Sequence, residues 1–112
     1  MQQDTLEIVV EWHGTVLDVR HIGPGEDFVL GRDLPYEGPE QRLAVIRGAQ
    51  LCVRPAVGAT ATLLRGADVL PVEGAFRLIP GERARMELGD LNFYFAAVQP
   101  EARPKRSLAA AL

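Results

Sequence analysis

Several things are scarce in this chain, and each scarcity excludes something. Ser107 is the sole serine, Asn92 the sole asparagine, and His13 and His21 are the only histidines. A single cysteine, Cys52, rules out an internal disulfide, and its place between Leu51 and Val53 reads as a small buried hydrophobe. No apolar run approaches the roughly 20 residues of a membrane span. Asp4, Glu7 and Glu11 interrupt the first apolar stretch, which predicts no signal peptide and a cytoplasmic location. There is no glycine-rich phosphate loop before a helix, and no Cys/His spacing of a zinc motif. His13 and His21 stand eight residues apart on a predicted hairpin, without a third ligand. No carboxylate pairs with a nucleophile in a recognisable arrangement. The expectation is therefore no enzyme, no cofactor and no metal.

Charge is present but divided. Residues 1–41 hold nine acids against two arginines, while residues 42–112 hold ten basic residues against six acids, for a net charge of −3 overall. A nucleic-acid binder needs a concentrated basic face, so this division argues against one. A polarised surface suits a protein partner instead.

At 112 residues, 47% hydrophobic and 24% charged, the chain has room for one soluble globular domain. Eleven glycines and eight prolines among many Val and Leu favour short strands and tight turns. Leu6, Ile8, Val10 and Trp12 alternate with Thr5, Glu7 and Glu11, the period of a half-buried strand. His13-Gly14 turns it into a returning strand over 15–22. Gly23-Pro24-Gly25 makes the next turn, before a strand through Phe28 and Leu30. Residues 33–41 read as loop, with Pro35, Gly38 and Pro39 blocking regular structure. Strands follow at 43–47 and 50–54, then a hairpin at 60–65 and 69–72, where Pro71 marks an edge strand. Phe76 to Ile79, a Pro80-Gly81-Glu82 turn, and a pair joined by Gly89-Asp90 complete the order. About ten short strands and no long helix predict an antiparallel β-sandwich, with Trp12, Phe93 and Phe95 as core aromatics.

After Val98 the composition turns polar, with prolines, then Lys105 and Arg106 before Leu108 to Leu112. Residues 99–112 read either as a frayed tail or as the cytoplasmic flank of a membrane helix lying downstream of residue 112.

Three stretches resemble the forkhead-associated (FHA) family of phosphopeptide-binding domains. Phe28-Val29-Leu30-Gly31-Arg32 is similar to the family's strand ending in Gly-Arg. Ala61-Thr62-Leu63-Leu64-Arg65-Gly66 resembles its Gly-Thr-aliphatic-aliphatic-Asn-Gly stretch. Leu78, Pro80-Gly81-Glu82 and Leu88-Gly89-Asp90 with an aromatic strand resemble its ending. The resemblance implies an FHA-like sandwich over residues 1–98. It also implies a phosphothreonine pocket built from the Gly-Arg arginine, a Ser-x-x-His and an asparagine, because a dianionic phosphate needs a guanidinium with hydroxyl or amide donors. Arg32 keeps the first role by position. The stretch expected to supply Ser-x-x-His runs Gln41-Arg42-Leu43-Ala44-Val45-Ile46, and Thr60 and Arg65 stand where asparagines are usual. Asp33 sets a like charge against any incoming phosphate.

The sequence thus predicts a degenerate FHA domain, a non-catalytic protein-interaction module for which phosphothreonine is a poor ligand. A working phosphothreonine reader in kinase signalling is the alternative. The candidate partner-binding residues are Arg32, Asp33, Tyr36, Arg42, Thr60 and Arg65. Arg32 reads either as a strand-end arginine paired with Asp33 or Glu82, or as a contact for an acidic partner. Arg42, Arg47, Arg54 and Arg65 form a basic patch at the loop end if their strands align. Tyr36 has little core to join and reads as an interface residue. Cytoplasmic heads of membrane-anchored bacterial gliding-motility and TonB-like envelope proteins are similar, which implies a cytoplasmic protein partner and membrane association only through a downstream helix.

Overall fold

A computed structural model describes residues 5–31 and 33–98, which form ten strands and no helix. The strands are β1 (Thr5–Trp12), β2 (Thr15–Ile22), β3 (Asp27–Leu30), β4 (Gln41–Arg47), β5 (Gln50–Val53), β6 (Thr60–Arg65), β7 (Asp68–Val72), β8 (Phe76–Leu78), β9 (Arg83–Leu88) and β10 (Leu91–Val98). They pair antiparallel in two sheets, one of six strands ordered β2-β1-β10-β9-β6-β7 and one of four ordered β3-β4-β5-β8. The expected all-β sandwich is the fold.

Alternation places the core. Leu6, Ile8 and Val10 of β1, Phe93 and Phe95 of β10, and Ala84 and Met86 of β9 line the inner face of the large sheet. Phe28, Leu30, Ile46, Leu51, Val53 and Leu78 answer from the small one. Two of the sequence expectations fail here. Trp12 keeps the inward parity of β1 but is 39% exposed, because it ends its strand at the rim, where its ring lies 4.5 Å from that of His13. Cys52 is half-buried on the outer side of β5, since its neighbours Leu51 and Val53 take the inner face.

Of the four connections that carry the chain between the sheets, two corners share one design. Gly23-Pro24-Gly25-Glu26 joins β2 to β3, and Ile79-Pro80-Gly81-Glu82 joins β8 to β9. In each, the first residue's carbonyl accepts from the fourth residue's N–H, at 3.0 Å and 2.9 Å. Proline pre-sets the second position, and glycine supplies positive φ at the third, 81° in Gly25 and 91° in Gly81, as a type II turn requires. The glutamate then bends back, its Oε1 accepting from the N–H of the first residue at 2.6 Å (Gly23) and 3.0 Å (Ile79).

Each sheet edge is guarded. β7 carries Pro71, and β8 and β3 are short. β2, the long edge, skips Leu17 in its pairing with β1 and turns Asp18 and Arg20 inward opposite Val10 and Ile8. A bulge with inward charges blunts strand addition there.

Candidate functional site

The β3–β4 loop, residues 31–40, and the β5–β6 loop, residues 54–59, meet at one end of the sandwich. Arg32 itself lies outside the described residues. Its neighbour Asp33 is placed: Arg20 donates to it at 2.6 Å and to Asp18 at 2.7 Å, with its guanidinium 5.6 Å from the centre of the Phe28 ring. Hydrogen bonds to Asp18 first and Asp33 second raise the Arg20 pKa above its ordinary value. Arg20 therefore clamps the start of the loop to β2, a role that only the tertiary fold reveals. Glu82, the other expected partner of Arg32, sits at the opposite end of the sandwich and accepts from Arg65 at 2.6 Å.

Tyr36 is half-buried and packs on the core, contrary to the reading of a loop aromatic with no core to join. Its hydroxyl donates to the Pro39 carbonyl at 2.8 Å and accepts from Gln41 Nε2 at 2.8 Å. Gln41 Oε1 accepts from the Val57 N–H at 2.9 Å, so a chain of hydrogen bonds ties the two loops together. The ring lies so close to Gly38 that a Cβ there would stand 2.7 Å from the hydroxyl. Tyr36→Phe is expected to lower stability by about 1 kcal/mol and to speed amide exchange at Val57. Unchanged protection at Val57 would show that the chain of bonds does not hold the loops.

Of the other candidates, Thr60 opens β6 at this same end, exposed and opposite Glu87. Arg42, near the start of β4, pairs with Asp27 at 3.0 Å. Arg65 does not join them. It closes β6 at the far end, in the six-stranded sheet, and braces Glu82 instead. The expected basic patch is accordingly redrawn without it. Arg42, Arg47 and Arg54 line one depression of about 330 Å3 on the outer face of the four-stranded sheet, with Val45, Cys52 and Ala75.

A bulge makes this possible. Phe28 pairs with Ala44 and Val29 with Arg42, so Leu43 is skipped, and Leu43 and Ala44 are both buried. Arg42 and Arg47 are five residues apart, an odd separation that puts side chains on opposite faces of a regular strand. The extra residue restores them to one face.

A second rim feature lies beside the Arg20 clamp. Trp12, Leu17 and Pro35 join Asp18, Arg20 and Asp33 around a depression of about 410 Å3. His13 and His21 fall near opposite ends of β2, His13 within 3.6 Å of Asp90 and His21 within 3.0 Å of Glu7. Among the described residues no three His, Cys, Asp or Glu side chains cluster to hold a metal ion, and no helix is long and apolar enough to cross a membrane. The tail 99–112 lies outside the described residues. In comparisons with known proteins, no family model, no curated protein and no solved structure matches this chain.

Proposed function

We propose that the chain is a non-catalytic protein-interaction domain, a degenerate FHA module serving a membrane-anchored bacterial envelope or motility scaffold from its cytoplasmic side. The observation that carries this reading is the braced loop end. Tyr36, Gln41 and Val57 lock the two loops to each other, and Arg20 locks Asp33 to β2. Preorganised loops lose little entropy on binding, which suits recognition of a partner surface. The loops 31–40 and 54–59 contain no serine, histidine or asparagine with which to complete a phosphate pocket. The three stretches that resemble the family fall on β3, on β6 and across β8 to β10.

Titration with a phosphothreonine peptide and its unphosphorylated twin tests the reading. The two are expected to bind within about twofold of each other, since a single arginine without hydroxyl or amide donors beside it in the sequence adds little affinity for a phosphate, and Arg32→Ala is expected to change neither. Micromolar binding of the phosphorylated peptide alone, abolished in Arg32→Ala, would establish a phosphothreonine reader in its place.

A further inference from the structure

We propose that the outer face of the four-stranded sheet binds an extended acidic segment of a partner protein. The proposal deepens the interaction-module reading and rests on it, but it moves the contact from the loop tips to the side of the sandwich.

The face is built for carboxylates. Asp27, Val45, Cys52 and Arg77 stand in one cross-strand row, with Arg42 and Arg54 towards the loop end and Arg47 towards the other. Asp27 neutralises Arg42. Among the described residues Arg47, Arg54 and Arg77 make no ion pair, whereas Arg20, Arg65 and Arg85 each hold a carboxylate nearby. Two unmatched guanidinium groups, Arg47 and Arg54, flank the half-apolar floor and a third, Arg77, ends the cross-strand row, an excess of positive charge that an incoming acid would match. Guanidinium forks bind carboxylates in a bidentate manner, more tightly and directionally than ammonium groups do.

Spacing sets the shape of the ligand. Side chains on one face of a strand repeat at roughly 6.6 Å, and the skipped Leu43 leaves Arg42 and Arg47 four register steps apart along β4, roughly 13 Å or two repeats. An extended segment with acids at every second residue has the same repeat and covers that distance in about five residues. Val45, Cys52 and Ala75 offer an apolar floor to the side chains between the acids.

Nucleic acid fits this face less well. The depression is lined by no aromatic side chain on which a base would stack. Three free arginines fall short of the roughly six to ten phosphate contacts of a typical binder, and the whole chain carries −3.

The test uses a ten-residue peptide of alternating glutamate and valine, followed by fluorescence anisotropy at low salt, with the thiol reactivity of Cys52 as a second readout. Binding is expected to weaken about tenfold in Arg47→Gln/Arg54→Gln. It is expected to change less than about twofold in Arg83→Gln/Arg85→Gln, which removes the same charge from the other sheet. Bound peptide is expected to slow modification of Cys52. Arg47→Lys/Arg54→Lys keeps the charge but loses the fork, and an intermediate loss is expected. No binding, or equal losses in the two glutamine variants, would overturn the proposal. Loss in Arg32→Ala with the face variants unaffected would place the segment at the loop end, removing this inference while leaving the module reading intact. Preferential binding of a single-stranded oligonucleotide of equal length would remove both.

Discussion

Truncation of Phe93 to alanine is expected to cost about 4 kcal/mol of folding free energy. That is a large part of the 5–15 kcal/mol typical of a small domain. Phe93 is fully buried at the middle of the sandwich, paired with Val10 on one side and Met86 on the other. Its ring meets Phe28 edge-on at 6.2 Å across the gap between sheets and stacks beside Phe95 at 6.5 Å. Alanine removes the transfer energy of the ring and leaves a cavity walled by two strands on each side, which cannot collapse without breaking sheet pairing. Chemical denaturation should show the midpoint fall with the slope unchanged. Phe93→Leu, which keeps most of the volume, is expected to lose roughly a third as much. A cost below about 1 kcal/mol for the alanine variant would mean that the two sheets do not pack around this ring.

The second large effect is expected at Glu82, 4% exposed at the β8–β9 corner. Its carboxylate accepts from the Ile79 N–H and from Arg65, and these bonds, the backbone one foremost, outweigh the opposing effect of burial and hold its pKa below the ordinary 4.5. Glu82→Ala is expected to cost about 2 kcal/mol, because the part-buried Ile79 amide loses its acceptor and the buried carboxylate that ties the corner to β6 is gone. Arg65, 59% exposed, regains water and adds little to that cost. The twin corner provides the control: Glu26 makes the same back-bond in the open, and Glu26→Ala is expected to cost about 0.5 kcal/mol. Because the folded pKa of Glu82 is depressed, its contribution is complete above the unfolded value of 4.5 and disappears as pH falls through the lower folded value. Denaturation midpoints of wild type and Glu82→Ala should therefore converge below pH 4.5. Curves that stay parallel into acid would show that ionised Glu82 does not brace the corner.

Most of the architecture was legible because it is local. Leu6, Ile8 and Val10 declare an inward face by period two, and Pro71 announces an edge strand, both properties of a few neighbouring residues. The corners Pro24-Gly25-Glu26 and Pro80-Gly81-Glu82 were legible as turns, but their kinship is in the glutamate back-bonds. A written sequence does not display those. Trp12 obeyed its period and still reached solvent, since parity says which way a side chain points and not whether the facing sheet extends that far. Tyr36 was misread for the complementary reason: a loop rich in proline and glycine folded back onto the core and used the tyrosine as its tie.

The candidate site shows the same division more sharply. The supply of arginines on residues 42–85 and the lack of serine and histidine in the stretch after Arg32 are facts of composition, and the sequence displays them directly. Which arginines act together was decided by the fold. Arg65 went to the far end of the other sheet, because the chain crosses between sheets before β6. Arg42 and Arg47 were brought to one face by a single skipped residue, Leu43. A bulge arises from how β4 must pair with β3 while burying both Leu43 and Ala44, a demand set by a strand more than a dozen residues earlier. Local preference writes strands and turns; pairing between distant segments chooses the face that each charge occupies.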